Sequence, residues 1–329
     1  MNRGLKYFSK LSVGALIAGT LCPVSLLAQQ PNPPNSASYV FPKTVLLTLR
    51  GKAGDSFQFK SINKSSTKMN VETQGDVLNS DDSSERTYRY ALLEKMPNGN
   101  FKLEVKLLGG IESANTEEGI RRKSAIPGTM IAFLKPNNEQ EKLEFPSPQK
   151  IDPKTGKFVK QPEMDAMQKK ELAGLLESLN FPEKPLGVGD SWTFHPNRSQ
   201  YEDTEAFTPS EATGKLVGFE MFGKIPCAKI EAFVQPKGVS EEFERNIKKN
   251  LPPDATLKGV TTMDAKAIYF VSLDRGVVLD IQGKSSFKLN YVIHTDGKDL
   301  KLTGKIELEN HDTATSVPSF DAALIPILK

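Results

Sequence analysis

Two tripeptides, Gly54-Asp55-Ser56 and Gly189-Asp190-Ser191, set a serine beside an aspartate, a pairing from which a nucleophile could be built. That chemistry needs the serine on a strand-to-helix turn and an Asp-x-x-His pair downstream to take its proton. The chain has 3 histidines, His195, His294 and His311, and the residues three before them are Trp192, Tyr291 and Leu308. None is an aspartate. Each serine also leads into alternating aromatics, Phe57 and Phe59 in one case, Trp192 and Phe194 in the other. A turn that opens a strand explains both tripeptides, and no catalytic residue is assigned.

Other chemistries fail on spacing. There is no His-Glu-x-x-His, and Cys22 and Cys227 are too few for a structural zinc site. Asp76, Asp81, Asp82 and Glu85 form the densest acidic run but lack the ligand spacing and fixed glycine of a calcium loop. They read as a solvated hairpin tip. No glycine loop suited to cradling phosphate occurs, so no metal or cofactor is predicted. Paired carboxylates of the glycosidase type act through space and leave no sequence signature. A hydrolase with a dispersed acidic site therefore stays open as a lesser alternative.

The elements that position these residues are mostly strands. Val45, Leu47 and Leu49 alternate; Tyr88, Tyr90 and Leu92 face Phe101, Leu103, Val105 and Leu107 across an Asn98-Gly99-Asn100 turn. Farther on, Phe287, Leu289, Tyr291 and Ile293 alternate with polar residues, and Asp296-Gly297 returns the chain into Leu300, Leu302, Ile306 and Leu308. This is a meander with one wet and one dry face. Met164, Met167, Leu172, Leu175, Leu176 and Leu179 follow helical periodicity and predict an amphipathic helix over 164–180; a shorter helix is expected over 240–249. The fold class expected is mainly β: antiparallel curved sheets, half-barrel or sandwich-like, in two related halves with one or two amphipathic helices.

The expected organisation is a signal peptide over 1–28, a flexible leader over 29–40, an N-terminal β half over 41–134, and a Pro/Lys-rich connector over 135–163. After the helix come a C-terminal β half over 181–313 and a tail over 314–329. The signal rests on basic Arg3, Lys6 and Lys10, an apolar run from Leu11 to Leu21, and Ala28 at the cut. It predicts export to the periplasm or beyond, or association with the outer membrane, with no transmembrane segment after cleavage. The chain carries 43 Lys and Arg against 40 Asp and Glu, and the three basic residues of the signal make up the difference. A neutral remainder has no electrostatic reason to seek nucleic acid. Cys227 is left without a disulfide partner and reads as a small buried hydrophobe. An outer-membrane barrel is disfavoured by the charged connector, the helix and the terminal Lys329.

The stretch Phe181 to Trp192 contains Pro182-x-x-Pro185-x-x-Val188-Gly189-Asp190-x-Trp192. It resembles a motif of bacterial exported β-rich proteins, a domain family of unknown function. Tyr269-Phe270-Val271 followed by Asp274-Arg275-Gly276-Val277 is similar to that family's second block. The resemblance covers these two blocks and implies a fold and an exported location but no activity. More loosely, a curved sheet with a helix on its concave face is similar to the periplasmic lipoprotein carriers, an analogy of fold alone.

The expected function is that of a non-enzymatic envelope protein binding a lipid or other apolar or amphipathic ligand on the curved sheet. Phe57, Phe59, Trp192 and Phe194 are the candidate lining residues, with core packing as their alternative role. A structural or interaction protein that meets an envelope partner through strand edges is the competing expectation.

Overall fold

Along Phe287, Leu289, Tyr291 and Ile293 every second side chain is buried, while Lys288, Asn290, Val292 and His294 between them are exposed. That period builds the molecule. The structure is a computed structural model that describes residues 39–71, 75–116, 119–146, 149–151, 158–160, 164–176, 179–195, 211–234, 248, 255–295 and 297–325. The expected signal peptide, most of the leader and most of the 240–249 helix lie outside the described residues.

The elements in chain order are β1 (Thr44–Val45), β2 (Ser56–Val71), β3 (Gly75–Lys95), β4 (Phe101–Thr116), β5 (Gly119–Ser124), β6 (Gly128–Leu134) and β7 (Gln140–Glu144). A small hairpin, β8 (Gln149–Ile151) with β9 (Phe158–Lys160), precedes helix α1 (Ala166–Ala173). The second half holds β10 (Leu186–Gly187), β11 (Ser191–Phe194), β12 (Ala212–Phe222), β13 (Ile225–Val234), β14 (Thr256–Ser272), β15 (Val278–Thr295) and β16 (Lys298–Ser316).

Nearly all strands join one antiparallel 12-stranded sheet in the order β11-β12-β13-β14-β15-β16-β2-β3-β4-β6-β7, with β5 beside the far part of β4. The fold is thus mainly β and antiparallel, and the sheet is not closed into a barrel. The decisive pairing is β16 with β2, from Leu302↔Val71 to Ser316↔Gln58. It fuses the first and last parts of the chain into one surface. Three apolar clusters form against it. One lies around Phe59, Tyr88 and Leu103, a second around Leu47, Trp192 and Ile230, and a third around Phe287, Tyr291 and Ile306. Burying each large apolar side chain contributes roughly 1.5–3 kcal/mol.

The two Gly-Asp turns make the same hydrogen bonds. Asp55 N donates to Lys52 O (3.0 Å) and Lys52 N to Asp55 Oδ2 (3.0 Å); Asp190 N donates to Gly187 O (3.0 Å) and Gly187 N to Asp190 Oδ2 (2.8 Å). Gly54 and Gly189 both have left-handed φ, 93° and 98°, which an L side chain resists. Each turn then bonds the neighbouring strand, Gly54 N to Leu92 O and Gly189 N to Leu216 O, both at 2.8 Å.

Three expectations change. The helix is shorter than 164–180: α1 runs Ala166–Ala173 and ends before Gly174, a residue that weakens helices. It begins with a capping box, Gln168 N to Asp165 Oδ1 (2.8 Å) and Asp165 N to Gln168 Oε1 (3.0 Å). The connector over 135–163 is not simply extended. Asn138 takes φ 65°, which asparagine tolerates, and the chain folds back so that β7 pairs with β6. Finally, Asp81, Asp82 and Glu85 lie within β3 and not at a hairpin tip. Pairing with β2 and β4 on both sides satisfies the backbone there, and Lys60 pairs with Glu85 at 3.0 Å.

Candidate functional site: an apolar pocket at a chain junction

Residues 46–50, between β1 and β2, run in irregular conformation. They are held by main-chain bonds: Leu49 N to Pro136 O (2.6 Å) and Arg50 N to Arg275 O (2.7 Å). Thr48 Oγ1 also donates to Pro136 O at 2.9 Å. On the other side, Phe181 N donates to Asn137 O (2.8 Å) and Asn138 Nδ2 to Leu179 O (2.9 Å). Four separate stretches of chain therefore meet at one junction.

The Asp274-Arg275-Gly276 turn completes the junction. Arg275 Nε donates to Asp55 Oδ2 at 3.0 Å, and the two side chains are 6% and 14% exposed. Arg275 Nη1 bonds Asp274, whose Oδ2 also accepts from Asp321 N at 3.0 Å. Gly276 has φ 66°, and a Cβ there would stand 1.9 Å from Thr48 O, so no other residue fits.

Inside this frame lies an apolar pocket with a volume of about 40 Å³, room for a few water-sized groups. Phe57 of β2, Tyr90 and Leu92 of β3, and Phe101 and Leu103 of β4 form one wall. Leu134, the cross-strand partner of Phe101, extends that wall, Leu176, Val277 and Val278 complete the lining, and Arg50, Asp55 and Asn138 bring the polar groups. Tyr90 contributes its ring to the wall and donates its hydroxyl to Leu175 O, which fixes the turn after α1 and places Leu176. Burial lowers the Arg50 pKa to about 10, against the pull of Asp274, so the guanidinium stays charged at neutral pH.

The four aromatics singled out in the sequence are not brought together. Phe57 lines the pocket. Phe59, 1% exposed, stacks on Tyr88 at 5.1 Å between ring centres. Trp192 and Phe194 lie in a different cluster. Trp192 lies flat over its cross-strand partner Gly214, where a Cβ would come within 2.6 Å of the ring, and Nε1 donates to Asn180 O at 2.8 Å. The sequence reading missed Arg50, Arg275 and Tyr90 as junction residues. The Asp274-Arg275-Gly276 turn was visible, but its target 220 residues away was not.

Ionisable groups elsewhere form two small sets. Arg86 Nη2 reaches Glu112 at 2.6 Å and Glu171 of α1 at 3.1 Å. Burial, more than the neighbouring Glu112, raises the Glu171 pKa from its ordinary value, against Arg86. His311 Nε2 lies 2.9 Å from Asp280 Oδ1, whose other oxygen accepts from Gln282 at 2.7 Å. Among the described residues no hydroxyl bonds His311, and no group of three or more His, Cys, Asp or Glu is placed to hold a metal ion. Among them, too, no helix is long and apolar enough to cross a membrane.

No family model matches the chain, and no curated protein matches it. Among solved structures, lipovitellin, described for its lipid–protein interactions, is 7% identical over 82% of this chain and 26% of its own, with a TM-score of 0.45. The chain thus spans about a quarter of that protein. DynF, from the dynemicin biosynthesis pathway of Micromonospora chersina, is 8% identical over 88% of this chain and 95% of its own, with a TM-score of 0.15. Neither likeness carries an argument about function.

Proposed function

We propose that this chain is an exported, non-enzymatic envelope protein that holds an apolar or amphipathic ligand in the junction pocket. The observation that carries the proposal is the pocket itself: an apolar wall of Phe57, Tyr90, Phe101 and Leu103 that ends in the polar groups of Arg50, Asp55 and Asn138. Convergence of many apolar groups with a few fixed polar ones is the usual composition of a ligand site. Export rests on the basic and apolar pattern of the first 28 residues. The family resemblance of the Pro182–Trp192 block is consistent with it.

The test is native mass spectrometry of the chain recovered from the exported fraction of a bacterial culture, beside a Leu103→Trp variant that fills the pocket. A non-covalent adduct of apolar mass on the unaltered protein, absent from the variant, is the expected result. Bare protein in both samples, with no binding of added decanoate or 1-decanol, overturns the proposal.

A further inference from the structure

The polar groups of the pocket differ in what they already bind. Asp55 Oδ2 accepts from Lys52 N and from Arg275 Nε, each at 3.0 Å. Asp274 is engaged by Arg275 and by Asp321 N. Arg50 is different. Its Nη1 donates to Leu273 O at 2.9 Å and its Nη2 to Leu46 O, both neutral carbonyls. Among the described residues it has no carboxylate within ion-pair distance.

A guanidinium carries five N–H donors in a rigid fork. Two carbonyls leave donors over, and although Asp274 attracts the guanidinium from beyond ion-pair distance, a charge among the lining residues of an apolar pocket attracts an anion more strongly than it would in bulk water. The pocket is also narrow, about 40 Å³ in this conformation. It admits the end of an unbranched alkyl chain and has no room for a fused-ring skeleton. Widening along the chain would fall to Leu176, which sits on the turn held by the Tyr90 hydroxyl through Leu175.

Resting on the ligand-binding reading above, we infer that the pocket takes a single-chain anionic amphiphile, with its alkyl tail between Phe57, Leu103 and Leu176 and its anionic head on the free donors of Arg50. A carboxylate and a phosphate ester share that chemistry.

Isothermal titration calorimetry of the full chain with decanoate, decyl phosphate, 1-decanol and decyltrimethylammonium separates head from tail. A charge-assisted hydrogen bond of ordinary strength corresponds to a preference of about tenfold or more for the anionic ligands over decanol. The relative affinity of decanoate and decyl phosphate identifies which head is favoured, and either preference over decanol supports the inference. Arg50→Met should bring the three neutral and anionic ligands to within about twofold of one another, and Arg50→Lys should restore part of the preference. Should Arg50→Met fail to fold, the ligand series on the unaltered protein decides the matter alone. Equal binding of decanol and the anions, or tighter binding of the ammonium, overturns the inference and leaves apolar ligand binding standing. No binding of any of the four removes both.

Discussion

Arg275 Nε donates to Asp55 Oδ2 at 3.0 Å, and this one bond fastens the turn before β15 to the turn that launches β2. The same Asp55 oxygen closes its own turn through Lys52 N, so one atom serves local and long-range structure together. Asp190, which closes the matching turn before β11, is exposed, and among the described residues its side chain bonds only Gly187 N.

That contrast sets the first prediction. Arg275→Ala leaves Asp274, whose side chain is 1% exposed, without its cation, and should cost about 3–5 kcal/mol in urea unfolding. Asp55→Ala should cost about 1–3 kcal/mol, and Asp190→Ala about 1 kcal/mol or less. Equal losses at Asp55 and Asp190 would show that the Arg275 contact contributes nothing.

Gly276 and Gly297 both have left-handed φ, 66° and 70°, but only Gly276 is crowded, by Thr48 O. Gly297→Ala should cost about 1–2 kcal/mol from backbone conformation alone. Gly276→Ala adds a clash with main chain and should exceed ~4 kcal/mol or prevent folding. Thermal unfolding of the pair checks this, with similar melting temperatures as the contrary result.

Asp312, on β16 opposite Ser61 of β2, has its carboxyl pushed up to about 6 by burial, with Ser61 and His311 pulling the other way. A folded pKa above the unfolded value means the native state binds the extra proton. Stability from this group is full below about pH 4 and declines as pH rises through 6. His311, raised chiefly by its hydrogen bond to Asp280, loses its contribution in the same direction at higher pH. Asp312→Asn should flatten the pH 4–6 part of the profile and stabilise the protein at pH 7 by ~2–3 kcal/mol. Urea unfolding between pH 4 and 8 measures both, and an unchanged slope counts against this assignment.

Cys227 is fully buried between β12 and β14, and burial pushes its thiol well above the ordinary range. Dithionitrobenzoate should react with the folded protein at least ~100-fold more slowly than with the urea-unfolded chain, since the thiolate is the reactive form. Comparable rates would place the thiol at the surface.

The strands were legible wherever one face is dry, because burial at every second residue writes itself into runs such as Phe287 to Ile293. Turns were legible through Gly99 and Gly276, whose φ values only glycine takes easily. The pairing of β16 with β2 was not, since nothing local encodes which distant edge a strand will meet. Phe57 and Trp192 follow the same turn chemistry yet part company. Phe57 faces Tyr90 across the ladder and Trp192 faces Gly214, which lets the indole settle into the core. The polar middle of β3 concealed a strand, because its stability comes from neighbours on both sides and not from its own residues.

The most direct measurement of the junction pocket is methyl NMR of the leucine- and valine-labelled chain during titration with decanoate. The methyl signals of Leu103, Leu134, Leu176 and Val277 should shift together and saturate, while the indole of Trp192, in the other cluster, stays in place. Unmoved pocket methyls at saturating probe, or shifts confined to the surroundings of Trp192, would contradict a ligand site at the junction.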